Sequence, residues 1–173
     1  MKVAYALLVL SIALMPLLYV AFGLKLLVIY ALIWTDKLLI GLVKPLRLVG
    51  VDLSTFAAVL AGMAYGPLAA FVFVLIVYTF LWSLRYLLVP ILLPDWPLFV
   101  PDRYGVVYAS AGIIAGFMAA SSFSMIMITA VAAKILIHGT AELLLGKPVR
   151  VIQFIGTIVF HALVIIPFGM ALV

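Results

Sequence analysis

An all-α bundle of six to seven transmembrane helices is the fold this sequence predicts, on three observations. Of the 173 residues, 70% are hydrophobic and only 9% are charged, against about 25% charged in soluble domains. The mean hydropathy is +1.50. The apolar residues fall into stretches of roughly twenty, the length that crosses about 30 Å of hydrocarbon as a helix, and Gly, Pro and charge separate them. A water-soluble fold of this length has too little interior to hide so much apolar surface, so the bilayer is expected to be its solvent. No polar block is long enough for a second domain, and residues 1–173 are read as one integral membrane domain.

The elements follow from apolar length and punctuation. The first span covers about 3–22, and Gly23 with Lys25 ends it. Its opening, a Lys and then an apolar core, resembles a signal peptide. The core is about 20 residues, longer than the 7–15 of a signal sequence, so a retained helix is expected. The second span, 26–43, carries Asp36 and Lys37 in mid-segment, and "KPLRLVG" (44–50) follows as a loop. Asp52 or Ser54 is placed to cap a short third helix that ends at Tyr65 before "GPL". A fourth runs from 67 to 89 and contains Arg85, whose position after Trp82 near a helix end suggests snorkelling. The stretch 89–105 has four prolines and reads as an interfacial loop, with Trp96 and Tyr104 suited to the headgroup layer. Forty residues of helix over 106–145 would reach roughly 60 Å, twice the hydrocarbon. A turn is therefore required, and "SSFS" (121–124) is the polar cluster that supplies it, giving helices at 105–120 and 124–145. The last helix covers 150–172, with Pro167 near its end.

Charge orients this count. The formal net charge is +5, spread between apolar segments and without a basic run, so it points to retained cytoplasmic loops rather than nucleic acid. With Lys2 cytoplasmic, seven spans place "KPLR", Arg103 and "GKPVR" (146–150) on the cytoplasmic side and leave Lys25 opposite. The expected location is a cell membrane, multi-pass, with a cytoplasmic N-terminus. There is no cysteine, which excludes disulfides, thiolate metal sites and cysteine nucleophiles.

Two patterns stand out within the spans. In "YASAGIIAGFMAASS" (108–122), Ala111, Ala115 and Ala119 form one row of small residues, and Gly112, Gly116 and Ala120 form another beside it. In "AAVLAGMAYG" (57–66), Ala57 aligns with Ala61 and Ala58 with Gly62. Such spacing lets helices approach closely in lipid, either inside the fold or against another membrane subunit. The second pattern is "AAKILIHGTAELLLG" (132–146), which sets Lys134, His138 and Glu142 at i, i+4 and i+8 on one side of a helix. Lys134 falls near the midplane, where a lone charge costs about 2.5 kcal/mol or more and should face protein, water or an anion. The stripe reads as a structural polar seam, a substrate-binding site, a proton relay or, if the span ends near Ala130, part of an interfacial amphipathic helix. His161, one turn past Thr157, is placed to reach the same interior. Asp36 and Lys37 are adjacent and point in different directions, so they are not expected to neutralise each other.

Catalytic signatures such as HExxH, a nucleophile elbow or a Walker loop are absent, and five acidic residues with two histidines leave an enzyme little to work with. No enzymatic activity, cofactor or metal is expected.

The run "VDLSTFAAVLAGMAYGPLAAFVFVLIVYTF" (51–80) resembles the second-to-third helix region of the substrate-binding S components of energy-coupling-factor transporters. That resemblance implies a small integral subunit that captures a vitamin-like micronutrient and docks on a coupling subunit driven by ATPases. The family's docking alanines lie in its first helix, whereas here the small-residue rows are strongest at 108–122. The "GP" pattern is also similar to the rod-shape-determining D-type membrane proteins, which would imply a non-transporting scaffold of a larger complex. Expected partners are therefore the bilayer, an integral membrane subunit and, for the capture reading, a small molecule.

Overall fold

The computed structural model describes residues 2–43, 50–89, 94 and 96–167. The expected loop at 44–50 lies outside them except for Gly50, as do parts of the proline-rich stretch and the end of the last helix. All regular structure among the described residues is helical.

The first helix, α1 (Lys2–Trp34), is broken where the sequence predicts it. Gly23 takes φ 80° and ψ −176°, a conformation open essentially to glycine alone. Tyr30 Oη donates to the Ser11 carbonyl at 3.0 Å, and Trp34 Nε1 donates to Ser11 Oγ at 3.2 Å. Nineteen residues of straight helix would hold the first pair roughly 28 Å apart. The chain has therefore folded back at Gly23, and its two arms lie side by side. The second arm continues through a π turn at Thr35–Leu39 and a 3-10 turn at Ile40–Leu42.

Local chemistry sets the remaining ends. The Asp52 carboxylate accepts from Ser54 N at 2.9 Å and Thr55 N at 3.2 Å, filling otherwise unmet donors at the start of α2 (Ser54–Tyr65). Gly66, at φ 83°, ends α2, and Pro67 opens α3 (Pro67–Leu88) as its first residue, where a missing N–H is harmless. Asp102 Oδ1 accepts from Gly105 N at 2.7 Å and starts α4 (Arg103–Phe117). This cap draws Tyr104 out of the expected interfacial loop and into a helix. Residues 118–122 make the turn that the length argument requires, and Ser122 caps α5 (Phe123–Leu144). The last helix, α6 (Val151–Phe160), runs on through a π turn at His161–Ile165.

Three helical stretches among the described residues are long and apolar enough to cross a membrane, namely 2–42, 67–88 and 123–144. The others, α2 with 12 residues, α4 with 15 and the run Val151–Ile165, are shorter.

The small-residue rows are spent inside the bundle. A Cβ on Gly62 of α2 would lie 2.2 Å from the Gly112 carbonyl oxygen and 2.8 Å from Gly116 N. One on Gly116 would lie 2.5 Å from Pro67 N. Ala57, Ala61, Ala111 and Ala115 are buried as well, and the Ala115 Cβ would lie 2.9 Å from a Cβ on Gly62. Ala119 departs from the predicted row, because α4 stops at Phe117 and leaves it exposed in the following turn.

Candidate functional site

A cavity of about 280 Å³ lies where the second arm of α1, α3 and α5 approach their ends and α2, α4 and α6 begin. Its lining is unusual for a chain with 9% charge. Asp36, Lys37, Asp52, Arg85, Lys134, His138 and Arg150 all contribute, with Tyr78, Trp82, Tyr86, Tyr104 and Tyr108 between them. Six stretches of chain thus bring seven of the chain's 17 Lys, Arg, Asp, Glu and His residues to one place.

Most of these charges are matched. Lys134 pairs with Asp52, 82 positions away, rather than with the stripe below it. Both side chains are buried, and the Lys134 ammonium also sits 4.7 Å from the Tyr108 ring centre. Burial alone would push the Asp52 carboxyl up, but Lys134, His161 and Lys37 outweigh it and hold it below the usual carboxylate range. Lys37 pairs with Asp36 at 2.5 Å, contrary to the expectation that adjacent residues would diverge. Both lie in the π turn at 35–39, and the lysine side chain is long and flexible enough to reach its neighbour's carboxylate while lying over Tyr78 and Tyr108, 4.5 and 4.3 Å from the ring centres. Asp36 also accepts from Ser54 Oγ at 2.6 Å and Leu53 N at 3.1 Å, tying the end of α1 to the start of α2.

The remaining stripe residues form a second layer. Glu142 is buried and does not line the cavity; its Oε1 lies 3.3 Å from both His138 Nε2 and Arg150 Nε. His138 reaches the cavity between Tyr104 and Phe154, with ring centres 4.9 and 5.3 Å away. His161 is buried outside the lining, with Nδ1 2.8 Å from the Thr157 carbonyl oxygen. A carbonyl only accepts, so Nδ1 carries the proton there. Thr157 Oγ1 in turn donates to the Gly50 carbonyl at 3.2 Å. Of the four candidate binding residues, Lys134 and His138 face the cavity, while Glu142 and His161 stand behind it.

No protein-family model, curated protein or solved structure matches this chain, so the chemistry of the cavity carries the functional argument.

Arg85 is the residue that sequence reasoning undervalued. It does not snorkel outward: it is 5% exposed and its head lies in the cavity wall. It stacks on Tyr86, 4.7 Å from the ring centre, and has no ion pair among the described residues. Its Nε is buried and without a hydrogen-bond partner. A Cβ at position 41 would sit 3.0 Å from Arg85 Nη1, so Gly41 provides the room the guanidinium occupies. No metal-ligand cluster occurs among the described residues.

Proposed function

We propose that this chain is a small integral membrane subunit that binds a solute within its helix bundle, as the substrate-capturing component of a transporter assembled with other chains. The observation that carries this reading is the cavity. It is lined by residues from six stretches of chain, with aromatic rings between charged and polar groups, and polar groups that converge on a concave site are what orients a bound solute. The alternative, a scaffold subunit, needs an outward face of small residues, and the strongest rows are used between α2, α3 and α4. The fold-back at Gly23 gives two arms each of about spanning length, which supports seven crossings with the shorter helices completing the bundle. Energy coupling would come from partner chains, in line with the resemblance of residues 51–80 to S components.

Native mass spectrometry of the purified protein tests the reading. The expected result is a small molecule that stays bound through detergent removal and is released on unfolding. A protein that emerges empty, and whose thermal unfolding no small solute shifts, would not be a capture subunit.

A further inference from the structure

Among the described residues, the cavity is charge-matched except at one place. Asp36 has Lys37, Asp52 has Lys134, and Glu142 has Arg150. Arg85 alone among the cavity's described cations has no carboxylate. A buried guanidinium without a partner is costly, and a bundle holding two matched lysines nearby has no evident need of it for folding. Resting on the capture reading above, we propose that the bound solute is a small organic anion carrying a single negative charge, a monocarboxylate, whose carboxylate is held by Arg85.

Three features fix that chemistry. The planar guanidinium presents a fork that matches a carboxylate with two parallel hydrogen bonds. One surplus positive charge among the described residues calls for one negative charge, which favours a carboxylate over a doubly charged phosphate ester. The volume, about 280 Å³, is far more than a halide would fill. Tyr104, Tyr108 and Gln153 also line the cavity and offer neutral polar partners for the rest of the molecule. Lys134, the cation that opens the sequence stripe, is already neutralised by Asp52 and is not the anchor.

Benzoate, benzamide and benzylamine, nearly equal in shape and differing in charge, serve as probes in thermal unfolding of the full-length protein in detergent with a sulfate background. Benzoate should raise the Tm of the wild type in a dose-dependent manner, and the neutral and cationic probes should not. Arg85→Gln should raise the Tm of the ligand-free protein, because it removes an unmatched buried charge. The same variant should weaken the benzoate response about tenfold or more, the size expected for a lost charge-assisted contact. Arg85→Lys keeps the charge without the fork and should retain part of the response. Loss from Arg85→Gln of an anionic species that co-purifies with the wild type supports the proposal equally.

An equal shift from benzamide or benzylamine, or an undiminished benzoate shift in Arg85→Gln, overturns the anion assignment. If a neutral or cationic molecule also co-purifies, the capture reading survives that failure. Sodium chloride matching benzoate in effect would make the subsite inorganic and overturn the organic part. A lower ligand-free Tm in Arg85→Gln, with the benzoate response intact, makes Arg85 structural. If no probe acts and nothing co-purifies, the anion proposal and the capture reading fall together.

Discussion

Lys134 and Asp52 hold the cavity together through a contact that spans 82 positions of sequence. Removing one partner of a buried pair strands the other charge and costs about 3–5 kcal/mol. Lys134→Met should therefore lower the thermal stability in detergent sharply. Asp52→Asn should also do so, although the amide oxygen can still accept from the first turn of α2. The double variant should cost less than the sum of the two, and additive losses would mean that the pair is not coupled. Because the Asp52 carboxyl is held below its ordinary range, its contribution is intact at neutral pH and fades only as pH falls through the lowered value. The sequence marked Lys134 as a midplane charge in need of company, since that follows from depth alone. It did not reveal the company, because helical spacing reports neighbours on one helix and Asp52 arrives from another. Asp52 read as a helix cap, and it is one; its second oxygen is what Lys134 uses. Arg85 was read as a snorkelling residue from its place near a helix end, and the glycine that makes room for it, Gly41, lies 44 positions before it in the sequence.

Helices in lipid gain little from hiding apolar surface against one another, so close backbone approach must come from missing side chains. Two glycines differ in the outcome expected from the same substitution. Gly62→Ala drives a methyl to within 2.2 Å of a backbone oxygen on α4, and forced overpacking of this kind costs about 1–3 kcal/mol. Gly139 lies inside α5, and its added Cβ would meet Phe154 Cε2 at 3.4 Å, an ordinary contact. There the helix gains about 0.5–1 kcal/mol from losing glycine's backbone freedom, so Gly139→Ala should raise the Tm. Unfolding of the two variants side by side checks both signs, and a harmless Gly62→Ala would mean that α2 and α4 do not meet as described. The rows at 57–62 and 111–116 were visible from spacing, as was the break at Gly23. Which row met which was not visible, because spacing alone assigns no partner. The π turn at 35–39, which holds both Asp36 and Lys37, left no mark in the composition.

The position of the cavity along the bundle sets a condition on any transport reading. It lies at the end where α3 and α5 finish and α4 and α6 begin, the end that also carries Arg103, Lys147 and Arg150. The fold-back at Gly23 carries Lys25 toward the opposite end. Basic residues are retained in the cytoplasm, so the cavity is expected to face inward. For an importer that is the side of release, and uptake would require the bundle to reorient within the membrane. The absence of cysteine makes the sidedness directly measurable. Single variants Lys25→Cys, Ser122→Cys and Lys147→Cys can be labelled in intact cells with a membrane-impermeant maleimide. Lys25→Cys and Ser122→Cys should react from outside, and Lys147→Cys only after the membrane is opened, because α5 separates Ser122 from Lys147 by 22 residues, roughly 33 Å of helix. External labelling at Lys147→Cys would invert the bundle and let the cavity take its solute directly from outside. Labelling of Ser122→Cys and Lys147→Cys from the same side would deny α5 a crossing and remove the seven-span arrangement altogether.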